Sequence, residues 1–145
     1  MVKQYGPVKL EVLAPAEPLL TGTRSDLNNN SIITKWTYGS FSVLMTGDAE
    51  AEELDRLMKS KVNLSATVLK VPHHGSRYTM NAAFLAAVKP KVAVVSAGKG
   101  NDYKHPHKEA MARLAKVGAH VHVTAQRGTL TVTSNGHGFE LKAER

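Results

Sequence analysis

The first third of the chain alternates between apolar and polar residues, which predicts β-strands. Residues 8–13 place Val, Leu and Val opposite Lys and Glu, the pattern of a half-buried strand. Residues 32–36 and 41–45 predict two more strands, and the Tyr-Gly-Ser sequence at 38–40 favours a tight hairpin turn between them. Prolines follow the first strand, so residues 16–30 predict an irregular loop.

From residue 49 onward, helical periodicity alternates with short apolar runs. Helices are predicted directly after Asp48, at 82–88 and at 106–118; buried strands at 65–71, 92–95 and 121–123; and a hairpin at 129–141. Pro106 suits the first position of its helix and Gly118 suits the end. This order predicts an α/β fold in which helices cover a mixed sheet. No linker divides the chain, so we expect a single domain over residues 1–145.

Composition narrows the chemistry without deciding the partner. The 145 residues contain no cysteine, which excludes disulfides, thiolate zinc sites and cysteine nucleophiles. The net charge is +7, which either serves solubility alone or indicates an anionic partner such as nucleic acid or a phosphoester. No apolar run approaches the ~20 residues that span a bilayer, and no signal peptide is visible.

Three polar loops follow three predicted strands. The first holds Asp48, the second His73 and His74, and the third runs over residues 101–107. In an α/β sheet, such loops gather at the carboxyl ends of the strands, where sites form. We therefore expect these loops to meet.

Asp48 has two interpretations that can coexist. It directly precedes a predicted helix, where aspartate is a preferred N-cap, and it also suits a carboxylate metal ligand. His73 and His74 are neighbours, and in extended chain neighbouring side chains point to opposite sides. Only one of the two is then expected to reach a metal, while the other supports it or contacts substrate.

Other polar residues are candidates for substrate contacts. His105 is predicted as a general acid or an oxyanion donor, whereas His107 is expected on the surface of the helix's first turn. Ser76 and Arg77 can donate to a phosphate, although Arg77 is equally interpreted as a solvated surface side chain. The remaining substrate-binding candidates are two amides, Asn30 and Asn101.

Four segments taken together resemble the metallo-β-lactamase-fold domain of ComEC-type competence proteins. The segments are N-N-N-S-I-I at 28–33, L-M-T-G-D-A-E at 44–50, L-K-V-P-H-H-G-S at 69–76 and S-A-G…N-D-Y-K-H-P-H at 96–107. The resemblance implies an αββα sandwich with one or two zinc or manganese ions between its sheets. It implies Asp48 as the bridging ligand and His74, or else His73, as a further ligand, with His105 on the substrate side.

The chain also departs from that family's pattern. The family's first metal motif, His-x-His-x-Asp-His, is missing, and no histidine precedes His73. The resemblance therefore implies only the C-terminal half to two-thirds of the domain. A partial domain would expose apolar residues that the missing half covers, and we expect these to promote self-association. The residues are Ile32, Ile33, Val43 and Val68.

The function implied by the resemblance is metal-dependent phosphodiester cleavage of DNA, single-stranded by expectation, during natural transformation. The chain alone is expected to be inactive, and in a longer bacterial membrane protein it would stand beside the missing half and a channel, on the extracytoplasmic face. Two alternatives stay open: a non-catalytic basic module that binds DNA or a partner, and a hydrolase of the same fold that acts on small phosphoesters.

Overall fold

A seven-stranded mixed sheet organises the structure, a computed structural model that describes all 145 residues. Its strands follow one another in chain order: β1 (Val2–Tyr5), β2 (Val8–Ala14), β3 (Ile33–Tyr38), β4 (Phe41–Met45), β5 (Val68–Lys70), β6 (Val92–Val95) and β7 (His120–Val123). Strands β1 to β4 pair antiparallel, and β4 to β7 pair parallel. The parallel half therefore needs crossover connections, and helices supply them.

Three helices connect the parallel strands and cover one face of the sheet. They are α1 (Ala51–Lys59), α2 (Ala82–Val88) and α3 (Lys108–Lys116), and a fourth short helix, α4 (Thr124–Arg127), follows β7. The core lies between this layer and the sheet, and its fully buried members include Leu44, Leu69, Ala93, Leu54, Phe84 and Leu114. None of the four helices is long and apolar enough to cross a membrane.

The opposite face of the sheet is contacted by the terminal hairpin. Strands β8 (Leu130–Ser134) and β9 (Phe139–Ala143) form a separate two-stranded sheet. The ring of Phe139 lies 5.7 Å from that of Phe41, and the Ser40 N–H donates to the Gly136 carbonyl at 2.7 Å. The hairpin tip is thus held against the β3–β4 turn.

The predicted α/β fold with a mixed, helix-covered sheet is confirmed, with local differences. The strand predicted at 65–71 is limited to β5, and the helix predicted from Pro106 begins at Lys108 with His107 as its N-cap. Strand β1 was not predicted, because all four of its residues are exposed and show no apolar pattern. The architecture by itself does not establish an αββα sandwich.

The prediction of exposed apolar residues is partly wrong. Ile33 is fully buried because it faces the helices, and Val68 is buried on the opposite face. Ile32 is 67% exposed, and Trp36 and Met45 also leave about two-fifths of their surface exposed on the face that the hairpin contacts. The apolar surface that could support self-association is therefore smaller than the sequence suggested.

The buried carboxyl of Glu53 is expected to make stability depend on pH. Burial raises the pKa of Glu53 from 4.5 to about 7, and its Oε2 has no hydrogen-bond partner. As pH rises, this carboxyl loses its proton at a lower pH in the unfolded chain than in the folded protein. The free energy of unfolding should therefore fall by about 3 kcal/mol between about pH 4.5 and pH 7. We expect Glu53→Gln to remove this loss, as measured by urea unfolding at pH 5 and pH 8. Glu17→Gln, at an exposed position, is the control, and equal pH dependence in both variants would contradict the prediction.

The hairpin contact gives a second prediction. Gly39 has a φ of +56°, and a Cβ there would collide with the carbonyl of Gly136. Gly39→Ala should therefore lower the free energy of unfolding by roughly 1–3 kcal/mol and loosen the hairpin, because the colliding atom is backbone. Hydrogen exchange of β8 and β9 amides is the measurement. Gly98→Ala, where a Cβ meets nothing within 4 Å, is the control, and unchanged exchange in Gly39→Ala would refute the prediction.

Candidate functional site

The loops after β4, β5 and β6 meet at one edge of the sheet, as the sequence predicted. Asp48 Oδ1 lies 3.5 Å from His74 Nε2, and the ring of His105 lies 5.6 Å from that of His73 and 6.1 Å from that of His74. His107 joins them, with its ring 4.8 Å from that of His105. We call these five residues the His–Asp cluster.

His73 and His74 each face a different carboxylate. His74 Nε2 faces Asp48, whereas His73 Nδ1 lies 3.2 Å from Glu50 Oε1. Glu50 is buried, and its carboxylate also lies 3.3 Å from Asn28 Nδ2 and 3.4 Å from Arg24 Nε. The cluster is thus backed by a buried acid that the sequence analysis did not single out.

Glu50 also corrects the capping role predicted for Asp48. The N-cap of α1 is Glu50, with extended backbone, and its side chain makes no capping hydrogen bond. Asp48 therefore lies two residues before the cap, and its carboxylate is left facing His74 and Lys70, whose Nζ is 3.8 Å away. The position of Glu50 at a helix start, just after Thr-Gly-Asp, was the signal that could have revealed it.

The backbone of the histidine pair is left-handed and not extended. His73 and His74 have φ values of 45° and 54°, and Gly75 follows at 78°. The assumption that the two histidines lie in extended chain was therefore wrong, although the two rings do face different partners. Non-glycine residues in this region are strained by roughly 1–2 kcal/mol each, and such strain concentrates at functional sites.

Packing against the third loop holds this strained turn. A Cβ at Gly75 would lie 2.7 Å from Cβ of Pro106, and the Gly75 carbonyl accepts from the His107 N–H at 2.9 Å. The His73 N–H donates to the Gly47 carbonyl at 3.2 Å, which ties the turn to the Asp48 loop. All three loops are consequently locked together through their backbones.

The tautomer of His74 follows from its hydrogen bond. Its Nδ1 lies 2.7 Å from the Ser96 carbonyl, an acceptor only, so Nδ1 carries the hydrogen. Nε2 of the neutral ring then directs a lone pair at the Asp48 carboxylate. Two lone-pair donors this close repel each other unless a proton or a cation lies between them, so either a shared proton or a bound cation would relieve the repulsion.

These two donors fit a metal but do not complete its coordination. Zinc takes four ligands in most protein sites, and the structure contains no group of three or more His, Cys, Asp or Glu side chains placed to hold an ion. His73 is directed toward Glu50 instead. These 145 residues therefore do not present a complete set of metal ligands.

The third loop positions His105 through Asn101. Asn101 Oδ1 accepts from the His105 N–H at 2.9 Å, and its Nδ2 donates to the His105 and Gly98 carbonyls at 2.7 and 2.9 Å. Burial lowers the pKa of His105; His107, His73 and His74 lower this pKa further whenever their rings are protonated, whereas the Asp48 carboxylate raises it. A neutral imidazole suits hydrogen-bond donation better than proton release, which favours the oxyanion-donor role over the general-acid role.

His107 was expected at the surface and instead belongs to the cluster. Its Nδ1 accepts from the Arg77 N–H at 3.1 Å, so its Nε2 carries the hydrogen of the neutral ring. As the N-cap of α3 it is only half-exposed. His107 lies two residues after His105, and this spacing was the signal that could have placed it in the cluster. Its position near a helix start indicated a solvent-exposed side chain instead.

The predicted phosphate contacts are only partly brought together. Ser76 is buried and lines the cleft described below. Arg77 pairs with Glu109 of α3 at 3.4 Å, outside the lining of the cleft, and the Asn30 amide bonds to Leu20 and Asp26 within its own loop. Arg24 and Asn28 line the cleft instead. Asn28 belongs to the amide-rich segment at 28–33, whereas no motif distinguishes Arg24.

Two adjacent cavities, which share Tyr103 and His105, form the cleft around the cluster. One has a volume of about 490 Å³ and the other about 430 Å³. The first is lined by Arg24, Ser25, Asn28, Glu50, His73, Ser76, Tyr78, Tyr103, His105 and His107. His74, Ser96 and Asn101 line the second. The cleft therefore combines imidazole, hydroxyl, amide and guanidinium donors, a set suited to phosphate oxygens.

Comparison with known proteins gives relatives along most of the chain. It is 36% identical over 129 residues to ComE operon protein 3 of Bacillus subtilis, 35% over 123 residues to Recombination protein 2 of Haemophilus influenzae, and 34% over 143 residues to Competence protein ComA of Neisseria gonorrhoeae. These alignments cover 89%, 85% and 98% of this chain but only 16%, 15% and 20% of the relatives.

The comparisons correct the identification drawn from sequence motifs. The relatives carry the names given above and not that of a metallo-β-lactamase-fold domain of ComEC, and no family model matches the chain. That identification is replaced by homology to the named proteins. The chain is homologous to a segment, about a sixth to a fifth in length, of bacterial proteins named for competence and recombination.

Proposed function

We propose that this chain is the part of a DNA-uptake protein that carries half of a metal-dependent phosphodiester-cleaving site. The observation that carries the proposal is the pair His74 Nε2 and Asp48 Oδ1, 3.5 Å apart, with His74 Nδ1 engaged by the Ser96 carbonyl. The two proposed ligand atoms face each other at this distance, and carbonyl-bound imidazoles are typical of metal sites.

The remaining ligands would come from outside these 145 residues. A zinc or manganese ion, one or two in number, would supply an activated water and withdraw charge from the phosphate. The residues of this chain have the complementary task of holding the phosphate. His105, Ser76 and Arg24 line the cleft beside the two ligands and can donate to phosphate oxygens.

DNA is the substrate that charge and homology support. The chain carries 19 Lys and Arg against 12 Asp and Glu, and two of its relatives are named for competence or recombination. Neutralising a polyanion favours such an excess of positive charge. Other components of a bacterial DNA-uptake apparatus would be the partners, at the outer face of the membrane.

A second candidate is a binding module without catalysis. The Lys70 ammonium lies 3.8 Å from Asp48 Oδ1 and donates to the Gly47 carbonyl at 2.9 Å. A positively charged side chain therefore already lies beside Asp48, the proposed metal ligand. In that case the cluster would hold DNA through hydrogen bonds alone, and metal would add nothing to binding.

Metal titration separates these two candidates. The 145-residue chain should bind Zn²⁺ weakly, and Asp48→Asn and His74→Ala should each lower the affinity at least tenfold, because each removes one of two ligands. The measurement is competition with a chromophoric zinc chelator at pH 7.5. His137→Ala, in the exposed turn of the hairpin, is the control. Equal affinity in all four proteins would favour the binding module.

Cleavage assays test the incompleteness of the site. The purified chain should leave a labelled single-stranded oligonucleotide intact with Zn²⁺ or Mn²⁺, because too few ligands are present. Cleavage that Asp48→Asn abolishes would contradict this expectation. Sedimentation at the same concentration would then show whether a second copy completes the ligand set.

A further inference from the structure

We propose that Tyr103 and Tyr78 form a base-stacking platform that makes the cleft selective for single-stranded nucleic acid. The inference rests on the proposed function, because it assigns the bases to these rings and the phosphates to the His–Asp cluster. The two tyrosines and the neighbouring Arg24 line the same 490 Å³ cavity as His105 and His73. Stacked bases would thus lie beside the groups that hold the backbone.

Tyr103 presents an aromatic face to solvent in a fixed orientation. Its side chain is 77% exposed, yet its ring lies nearly parallel to His105, at an interplanar angle of 18° and a centroid distance of 5.7 Å. Asn101 fixes the backbone of His105 through two hydrogen bonds within this loop. Tyr103 therefore lies beside a held ring and leaves most of its own surface available to a flat ligand.

Tyr78 lines the same cavity and forms a second stacked pair. The guanidinium carbon of Arg24 lies 3.4 Å from the centroid of the Tyr78 ring, and Tyr78 is 45% exposed. Arg24 is oriented by the buried Glu50, whose Oε2 lies 3.4 Å from Arg24 Nε. A guanidinium held flat in this way can stack with a base and also donate to a phosphate.

The chemistry of stacking explains the selectivity. Any base can stack on an aromatic ring, so the platform needs no particular sequence. The bases of a duplex are already stacked on each other and are closed to such a platform, whereas those of a single strand are free. The positive charge of Arg24 attracts both forms equally, so only the stacking surfaces would distinguish single strands from duplex.

The test compares three probes on the 145-residue chain without added metal, by fluorescence anisotropy at low salt. The probes are a single-stranded oligonucleotide of about 12 nucleotides, an abasic strand of the same length, and the duplex. We expect the single strand to bind at least fivefold more tightly than the other two. Tyr103→Ala should lose that advantage, and Tyr103→Phe should keep it, because the phenyl ring still stacks.

The control variant removes a tyrosine outside the cleft, and three results would contradict the proposal. Tyr5→Ala removes a tyrosine that is 54% exposed on β1, outside the cleft, and should change nothing. Equal binding of the abasic and normal strands, or an equal loss in Tyr5→Ala and Tyr103→Ala, would overturn the platform and leave phosphate binding intact. No binding of any probe would overturn both the platform and the proposed nucleic-acid function.

Discussion

Parallel pairing of β4, β5 and β6 is the constraint on which the site depends. Because these strands run in the same direction, the loops that follow them emerge at one edge of the sheet. The crossover helices α1 and α2 make this pairing possible and bury the core that stabilises it. Asp48, His74 and His105 are far apart in sequence, and only this pairing places them together at one edge of the sheet.

The strained backbone of the His73–His74 turn is stabilised by contacts with the neighbouring loops. Residues such as His73 and His74 rarely adopt this left-handed conformation in a free peptide. Hydrogen bonds to Gly47 and from His107, with the close approach of Gly75 to Pro106, compensate for the strain. The result is a turn that directs two imidazoles at two carboxylates, one partly exposed and one buried.

The cleft separates two kinds of chemistry. At one end, His74 and Asp48 bring unshared electron pairs together, which favours a cation. Toward the first cavity, Arg24 and the tyrosines present positive charge and aromatic faces, which favour a polyanion with bases. Glu50 connects the two regions, since it contacts both His73 and Arg24. A nucleic acid strand offers both the phosphates and the bases that these regions suit.

The sequence by itself determined the α/β class, most strands and helices, and the three loops that carry Asp48, His74 and His105. Apolar periodicity and strand-end motifs are local signals, so they could be interpreted without the fold. Only the tertiary structure decided that Glu50 takes the N-cap position of α1 and backs the cluster, and that His107 joins the cluster. It also decided that Arg24 and Asn28 line the cleft where Arg77 and Asn30 were expected. These outcomes depend on which loop packs against which neighbour, and contacts between residues distant in the chain leave no local pattern.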